Sequence, residues 1–360
     1  MPDSALRDLT VVVTGASAGV GRAVALRFAK AGARLGLIAR DQEALERVAD
    51  QVRAQGATAC PVAADVADAV ALSDAAARIE RELGAADVWV NDAMATVFSP
   101  VADMTPEEFR RVTEVTYLGF VHATMAALRQ MRPRGRGTIV QVGSALAYRG
   151  IPLQSAYCGA KHAIRGFTDS LRTELLHEGS KIRLSMVQLP AMNTPQFSWA
   201  RTHMPRQPRP MGTIYQPEVA AEAVFRAAHH QPREVWLGGS TLMVILGNML
   251  APGALDRYLA WTAYGGQEGK EPVRPGRKDN LFEPVAAFHR THGAFDGVAR
   301  DRAVLLQGWH ARLGIALVAS AAMAATAIAV SATRPRPKPA VIVQRRSGQR
   351  AEPGVPEPWV

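Results

Sequence analysis

Leu9-Thr10-Val11-Val12-Val13-Thr14-Gly15-Ala16-Ser17-Ala18-Gly19-Val20-Gly21 decides the architecture of this chain. Its first half is an apolar, valine-rich run with the length of a strand buried on both faces. It runs into a turn of small residues, and positions 20–31 then carry apolar side chains at helical spacing and end near Gly32. A strand that passes through glycines into a helix lets backbone approach an anion closely and aims the unpaired N–H groups of the first helical turn at it. The spacing T-G-x-x-x-G-x-G in that context predicts a pyrophosphate cradle and not an ordinary glycine turn.

The same rhythm repeats outward from this point. Residues 34–39, 58–63, 87–91, 137–143, 182–189 and 234–238 are further strand candidates, separated by helical stretches near 41–55, 68–83, 105–131, 153–177 and 217–230. Strands alternating with helices of this length imply right-handed crossovers and a doubly wound parallel sheet of about seven strands, an α/β Rossmann-type fold with ligands at the carboxyl ends of the strands. A proline-studded connection, 192–216, carries Phe197, Trp199, Met204, Met211 and Tyr215, and its length favours a substrate lid over a mere surface excursion.

Chemistry is carried by Tyr157 and Lys161, four residues apart on one helix face, with Ser144 upstream. A phenol that exchanges a proton near neutral pH needs its pKa pulled below the free value of about 10, and a neighbouring ammonium does this. A tyrosine and lysine at this spacing would be weak evidence alone, since a solvated helix face could supply them; the serine and the glycine turn give them weight.

Together these residues resemble the compact branch of the short-chain dehydrogenase/reductase family over about residues 6–239. The resemblance implies that Ser144 holds the substrate oxygen, Tyr157 transfers the proton, and Lys161 tunes Tyr157 and binds the nicotinamide ribose, while hydride moves directly between nicotinamide and carbon. It implies cofactor contacts for Gly15, Ser17, Ala18, Gly19, Val20 and Gly21, for Arg40, for the pair Asp65-Val66, and for Asn91 and Ala93. Thr194, beyond the sixth strand, is assigned to the carboxamide, and Tyr157 and Lys161 complete the cofactor set. Alanine at 39 followed by Arg40 looks like the NADP(H)-preferring pattern, with NAD(H) possible; the alternative makes Arg40 a solvated residue and Asp41 a helix N-cap.

Several positions depart from the family pattern. Thr116 stands where a helix-distorting asparagine contributes a backbone carbonyl to a proton relay, so the carbonyl survives but the distortion is in doubt. Asn91-Asp92-Ala93-Met94 resembles the family's Asn-Asn-Ala-Gly turn with two departures, Asp92 and Met94, the latter replacing a glycine that faces the cofactor, and Leu189-Pro190 stands where Pro-Gly is usual.

Composition limits the rest. The 42 Lys and Arg against 32 Asp and Glu give a net charge of +10, with 6 basic and 2 acidic residues crowded into 333–360. No basic patch interleaved with aromatics points to nucleic acid. Cys60 and Cys158 have neither paired nor metal-ligand spacing, so no disulfide framework and no metal site is expected, and the chain reads as cytosol-facing without a signal peptide. His289 and His292 lack carboxylate or cysteine partners at ligand spacing and receive no role.

The expected organisation is therefore an NADP(H)-binding catalytic domain over 1–240, a helical and irregular extension over 241–310, a transmembrane or membrane-associated helix over 311–333, and a basic, Pro-rich disordered tail over 334–360. Residues 313–332 contain no charge and would reach about 30 Å, although nine of the twenty are alanine. These features predict a membrane-associated, homo-oligomeric oxidoreductase with a cytoplasmic catalytic domain and a lipophilic carbonyl or secondary alcohol as substrate. Two other readings stay open: a catalytically silent NADP(H)-binding sensor or scaffold, and a soluble cytoplasmic enzyme whose 313–332 segment packs on a partner.

Overall fold

Seven parallel strands form the centre of the molecule: β1 (Thr10–Thr14), β2 (Arg34–Ala39), β3 (Ala59–Ala63), β4 (Val88–Asn91), β5 (Arg136–Ser144), β6 (Lys181–Leu189) and β7 (Glu234–Leu237). An eighth, β8 (Leu305–Gln307), runs antiparallel to β7 at the edge, with Trp236 opposite Leu306. The order across the sheet is β3-β2-β1-β4-β5-β6-β7-β8, so the direction of winding reverses between β1 and β4, where the carboxyl ends splay into a crevice. The computed structural model describes residues 6–308 together with Met323 and Thr326.

The pleat divides the core. Val11 and Val13 face one layer with α1 (Gly19–Lys30), α2 (Gln42–Ala54) and α7 (Pro217–His230), whereas Val12 faces the other with α3 (Ala69–Leu83), α5 (Gly119–Met131) and α6 (Ser155–His177). Local signals place the helix starts. Asp41 caps α2 by accepting from the Ala44 N–H, Asp68 caps α3 through Val70 and Ala71, and Thr105 and Glu108 form a reciprocal capping box on α4 (Pro106–Thr113).

The single helix expected over 105–131 is interrupted. Between α4 and α5 the chain makes one π-helical turn, Glu114–Leu118. Thr116 lies at its centre, fully buried, where its hydroxyl accepts from the Ala95 N–H at 3.0 Å and donates to the Ala95 carbonyl at 2.8 Å. The distortion placed in doubt by the change from asparagine is therefore present, and threonine holds it by anchoring the turn to the loop after β4.

The extension begins as a helical hairpin, α8 (Gly238–Leu250) and α9 (Pro252–Gln267), clamped to the loop after β5. Arg149 donates to Asn248 and Asp256, and Gln154 donates to Gln267 at 2.6 Å. The 192–216 connection is ordered by three short pairings: Ala191–Met192 with Ile214–Tyr215, Val97–Phe98 with Arg201–Thr202, and Arg206–Pro208 with Glu268–Pro272.

One expectation is corrected. Among the described residues no helix is long and apolar enough to cross a membrane. The apolar helices that are described, α8 and α9, have 13 and 16 residues, against the roughly 20 that a bilayer core needs. Residues 313–332, where the sequence suggested a transmembrane helix, lie outside the described residues apart from Met323 and Thr326. That segment's nine alanines bring little transfer free energy. The transmembrane helix, the membrane as partner and the membrane-associated localisation built on it are withdrawn.

Candidate active site

A single cleft of about 620 Å³ opens over the carboxyl ends of β1, β2, β4, β5 and β6. It brings together thirteen of the sixteen residues singled out from sequence: Gly15, Ser17, Ala18, Gly19 and Val20 from the opening turn, Arg40, Asp65, Val66 and Ala93 from the next three strand ends, and Ser144, Tyr157, Lys161 and Thr194. Gly21, Asn91 and Thr116 stand behind its wall. Asn91 is fully buried and its side chain is committed to the core, accepting from Trp89 and donating to Thr124 and Gln141. It braces β4 against β5.

The opening turn has the shape of a phosphate cradle. Gly15 has φ +74° and Gly19 φ +55°, a region that costs other residues steric strain. A Cβ on Gly21 would lie 2.3 Å from the Gly15 carbonyl oxygen, and one on Gly19 would lie 3.2 Å from the Thr194 methyl. Only glycine permits this closeness, so the turn fits a dinucleotide pyrophosphate lying against its backbone at the start of α1. Thr14 ties the turn to the loop after β4 by accepting from the N–H groups of Asp92 and Ala93 at 3.1 and 3.3 Å.

Deeper in the cleft, β5 delivers Ser144 and α6 delivers Tyr157 and Lys161. The Ser144 hydroxyl accepts from the Leu146 N–H at 3.1 Å and also bonds the Tyr157 phenol. Lys161 donates to the Val142 carbonyl at 2.8 Å, with its ammonium 4.6 Å over the Phe120 ring and 5.6 Å from the Tyr157 ring centre. Burial pushes the Tyr157 pKa well above the ordinary phenol value; the bond to Ser144 opposes this, and Cys158 and Asp92 add to it. The direction is opposite to that expected from spacing. Desolvation sets the direction, and the Lys161 ammonium is turned to the Val142 carbonyl, so the phenol keeps its proton at neutral pH.

Asp92, which sequence reasoning treated only as a departure, belongs to the same cleft. Burial raises its carboxyl pKa, while Lys161 and a hydrogen bond from the Gly21 N–H pull it down. Burial likewise lowers Lys161, and Asp92 opposes the shift. Arg111 was also missed: it pairs with Asp65 and donates to the Leu281 carbonyl at 3.1 Å. No local motif marks Arg111, and Asp92 entered only as a departure within one. On the far side, the hairpin contributes Val244, Leu255 and Leu259, and the 192–216 connection contributes Phe197, Trp199 and Met211. Met94 lines the cleft as well.

The chain is similar to known proteins. The short chain dehydrogenase family model matches residues 9–204. The uncharacterized oxidoreductase YxnA of Bacillus subtilis is 31% identical over 299 residues, 82% of this chain and 84% of that protein. Dehydrogenase/reductase SDR family member 7B of Bos taurus is 38% identical over 176 residues, a match spanning about half of each protein, 47% of this chain and 54% of the relative. Among solved structures, a short-chain type dehydrogenase/reductase from Mycobacterium marinum aligns with a TM-score of 0.50 and 31% identity over 52% of this chain and 76% of that one. NAD+-bound xylitol dehydrogenase aligns with a TM-score of 0.50 and 30% identity over 52% and 72%. The chain belongs to the short-chain dehydrogenase/reductase family and is an NAD(P)(H)-dependent oxidoreductase acting on CH–OH or C=O groups.

Proposed function

We propose that the protein is an NADP(H)-preferring reductase or dehydrogenase of lipophilic carbonyl compounds or secondary alcohols, with Tyr157 as the proton donor and acceptor. The observation that carries this reading is the convergence of Ser144, Tyr157 and Lys161 with the glycine cradle and Arg40 in one cleft. When bound, the nicotinamide supplies or accepts the hydride. Ser144 orients the substrate oxygen toward Tyr157, whose phenol holds the proton to be delivered. Lys161 supplies the positive charge beside that oxygen and a donor for the nicotinamide ribose.

Arg40 and the absence of an acid at position 39 support NADP(H) over NAD(H). Its guanidinium donates to the carbonyls of Asn280, Leu281 and Phe282, which uses three of its five N–H groups and leaves two for a phosphate. The apolar wall of Val244, Leu255, Leu259 and Met211 supports a substrate with a hydrophobic body.

The test uses purified full-length protein, NADPH and a panel of aliphatic and aromatic ketones. Tyr157→Phe is expected to lower turnover by about 10²–10⁴-fold while NADPH binding is kept, and Arg40→Asp to weaken NADPH much more than NADH. NADPH binding without turnover on any ketone would instead favour a silent sensor, and equal effects of Arg40→Asp on both cofactors would refute the preference.

A further inference from the structure

Segment 280–293 of the extension lies across the adenosine end of the cleft and carries a buried imidazole set against Asp41 and the Val285 carbonyl. The segment is pinned at both ends. Arg40 and Arg111 donate to carbonyls of residues 280–282, and the Gly19 N–H donates to the Arg290 carbonyl at 3.0 Å. Between these latches, Arg22 donates to the His289 carbonyl at 2.7 Å.

The His289 side chain is only 7% exposed, lines the same cleft as Arg40 and Asp41, and meets the Trp199 indole edge-on at 5.2 Å. Its Nε2 lies 3.3 Å from an Asp41 carboxylate oxygen, yet neither ring nitrogen completes a hydrogen bond. Buried polar groups normally find a partner, and one left open beside a ligand cleft points to the ligand as that partner.

We propose that His289 is a cofactor-binding residue that recognises the 2′-phosphate of NADP(H) and takes up a proton when that phosphate binds. The inference rests on the NADP(H) reading above and extends it to a second cationic contact. The end of β2 is where the adenosine ribose hydroxyls lie in this fold. A phosphate there offers three acceptor oxygens, more than Arg40 can serve with the donors that the segment leaves it. Asp41, whose other oxygen accepts from the Ala44 N–H at 2.9 Å, would repel a phosphate dianion. An imidazolium beside both anions offsets that repulsion.

The groups facing the imidazole are Asp41, the Val285 carbonyl, Arg22 and Arg47. Burial, with Arg47 and Arg22, holds the His289 pKa below its ordinary value, against Asp41 and the Val285 carbonyl. The ring is therefore neutral near pH 7 until a second anion arrives, and the dianion's charge draws the proton on. NAD(H) brings no such charge.

Isothermal titration of the full-length protein with NADP+ and NAD+, in two buffers of different ionisation enthalpy near neutral pH, tests this. The wild type is expected to take up more protons with NADP+ than with NAD+. His289→Gln, which keeps bulk and polarity, is expected to lose that difference and to bind NADP+ about 10- to 100-fold more weakly, the worth of one charge-assisted hydrogen bond, with NAD+ affinity within about twofold. Equal weakening of both cofactors, or weakening of neither, would overturn the assignment to the phosphate. Should the variant fail to fold, the wild type decides alone: NADP+ affinity must fall as pH rises through the imidazole range while NAD+ stays flat. The phosphate's own second ionisation, near pH 6, acts in the opposite sense, so a profile that only rises overturns the proposal. A wild type that binds the two cofactors equally sinks the NADP(H) reading beneath it, whereas a preference that survives His289→Gln sinks the histidine alone.

Discussion

Gly21→Ala is the sharpest perturbation of the cofactor cradle. The added methyl would sit 2.3 Å from the Gly15 carbonyl oxygen, 2.8 Å from its carbon and 2.9 Å from an Asp92 carboxylate oxygen, where ordinary contact begins near 3.4 Å. Two of these neighbours are backbone, so the glycine turn must retreat by about 1 Å, at the cost of about 1–3 kcal/mol typical of an overpacked site. Spread over a domain this large, that is a fall in melting temperature of about 2–6 °C. The cofactor loss is larger, because the displaced turn carries the N–H groups aimed at the pyrophosphate. Losing one or two charge-assisted hydrogen bonds raises the NADPH dissociation constant about a hundredfold or more. Fluorescence titration with NADPH, alongside a thermal melt, reads both quantities. Gly56→Ala is the control, since Gly56 has φ +82° and open space around its Cβ; it costs about 1–2 kcal/mol of backbone strain and leaves NADPH binding unchanged. A folded Gly21→Ala protein that binds NADPH within about threefold of the parent would refute the claim that closeness at this glycine shapes the cradle.

Two further outcomes follow from the site. Thr116→Val strands the buried Ala95 N–H and carbonyl together and is expected to destabilise by about 2–6 kcal/mol, at about 1–3 for each unmet group. Thr116→Ser should restore most of this, and a urea midpoint for the valine variant equal to the parent's would remove the hydroxyl as the anchor of the π-helical turn. The raised pKa of Tyr157 sets the pH dependence: a group held above its ordinary value stays protonated through neutrality, so kcat/KM for ketone reduction is expected to be level from about pH 6 to about pH 8 and to fall only in the alkaline range. A decline that begins below neutral pH and is absent from an otherwise active Tyr157 variant would contradict a phenol shifted upward by burial.

The sequence by itself determined the alternation of strand and helix, because valine runs and apolar residues at helical spacing write their periods into neighbouring positions. It also determined the opening turn and the pairing of Tyr157 with Lys161, since close glycines and a four-residue step on one helix are local geometry. It could not determine the sign of the Tyr157 shift, which depends on how completely the surrounding elements exclude water. Asn91 read from its motif as a cofactor residue, but its amide is spent on Thr124 and Gln141, 33 and 50 positions away. The eighth strand escaped notice because three residues hold no period, and their pairing with β7 is decided by the edge that β7 leaves open. The placement of His289 beside Asp41 and of Arg40 beneath residues 280–282 joins positions more than 200 residues apart. Such contacts arise only when the extension packs across the cleft, so tertiary structure alone decided which charges share the cofactor site.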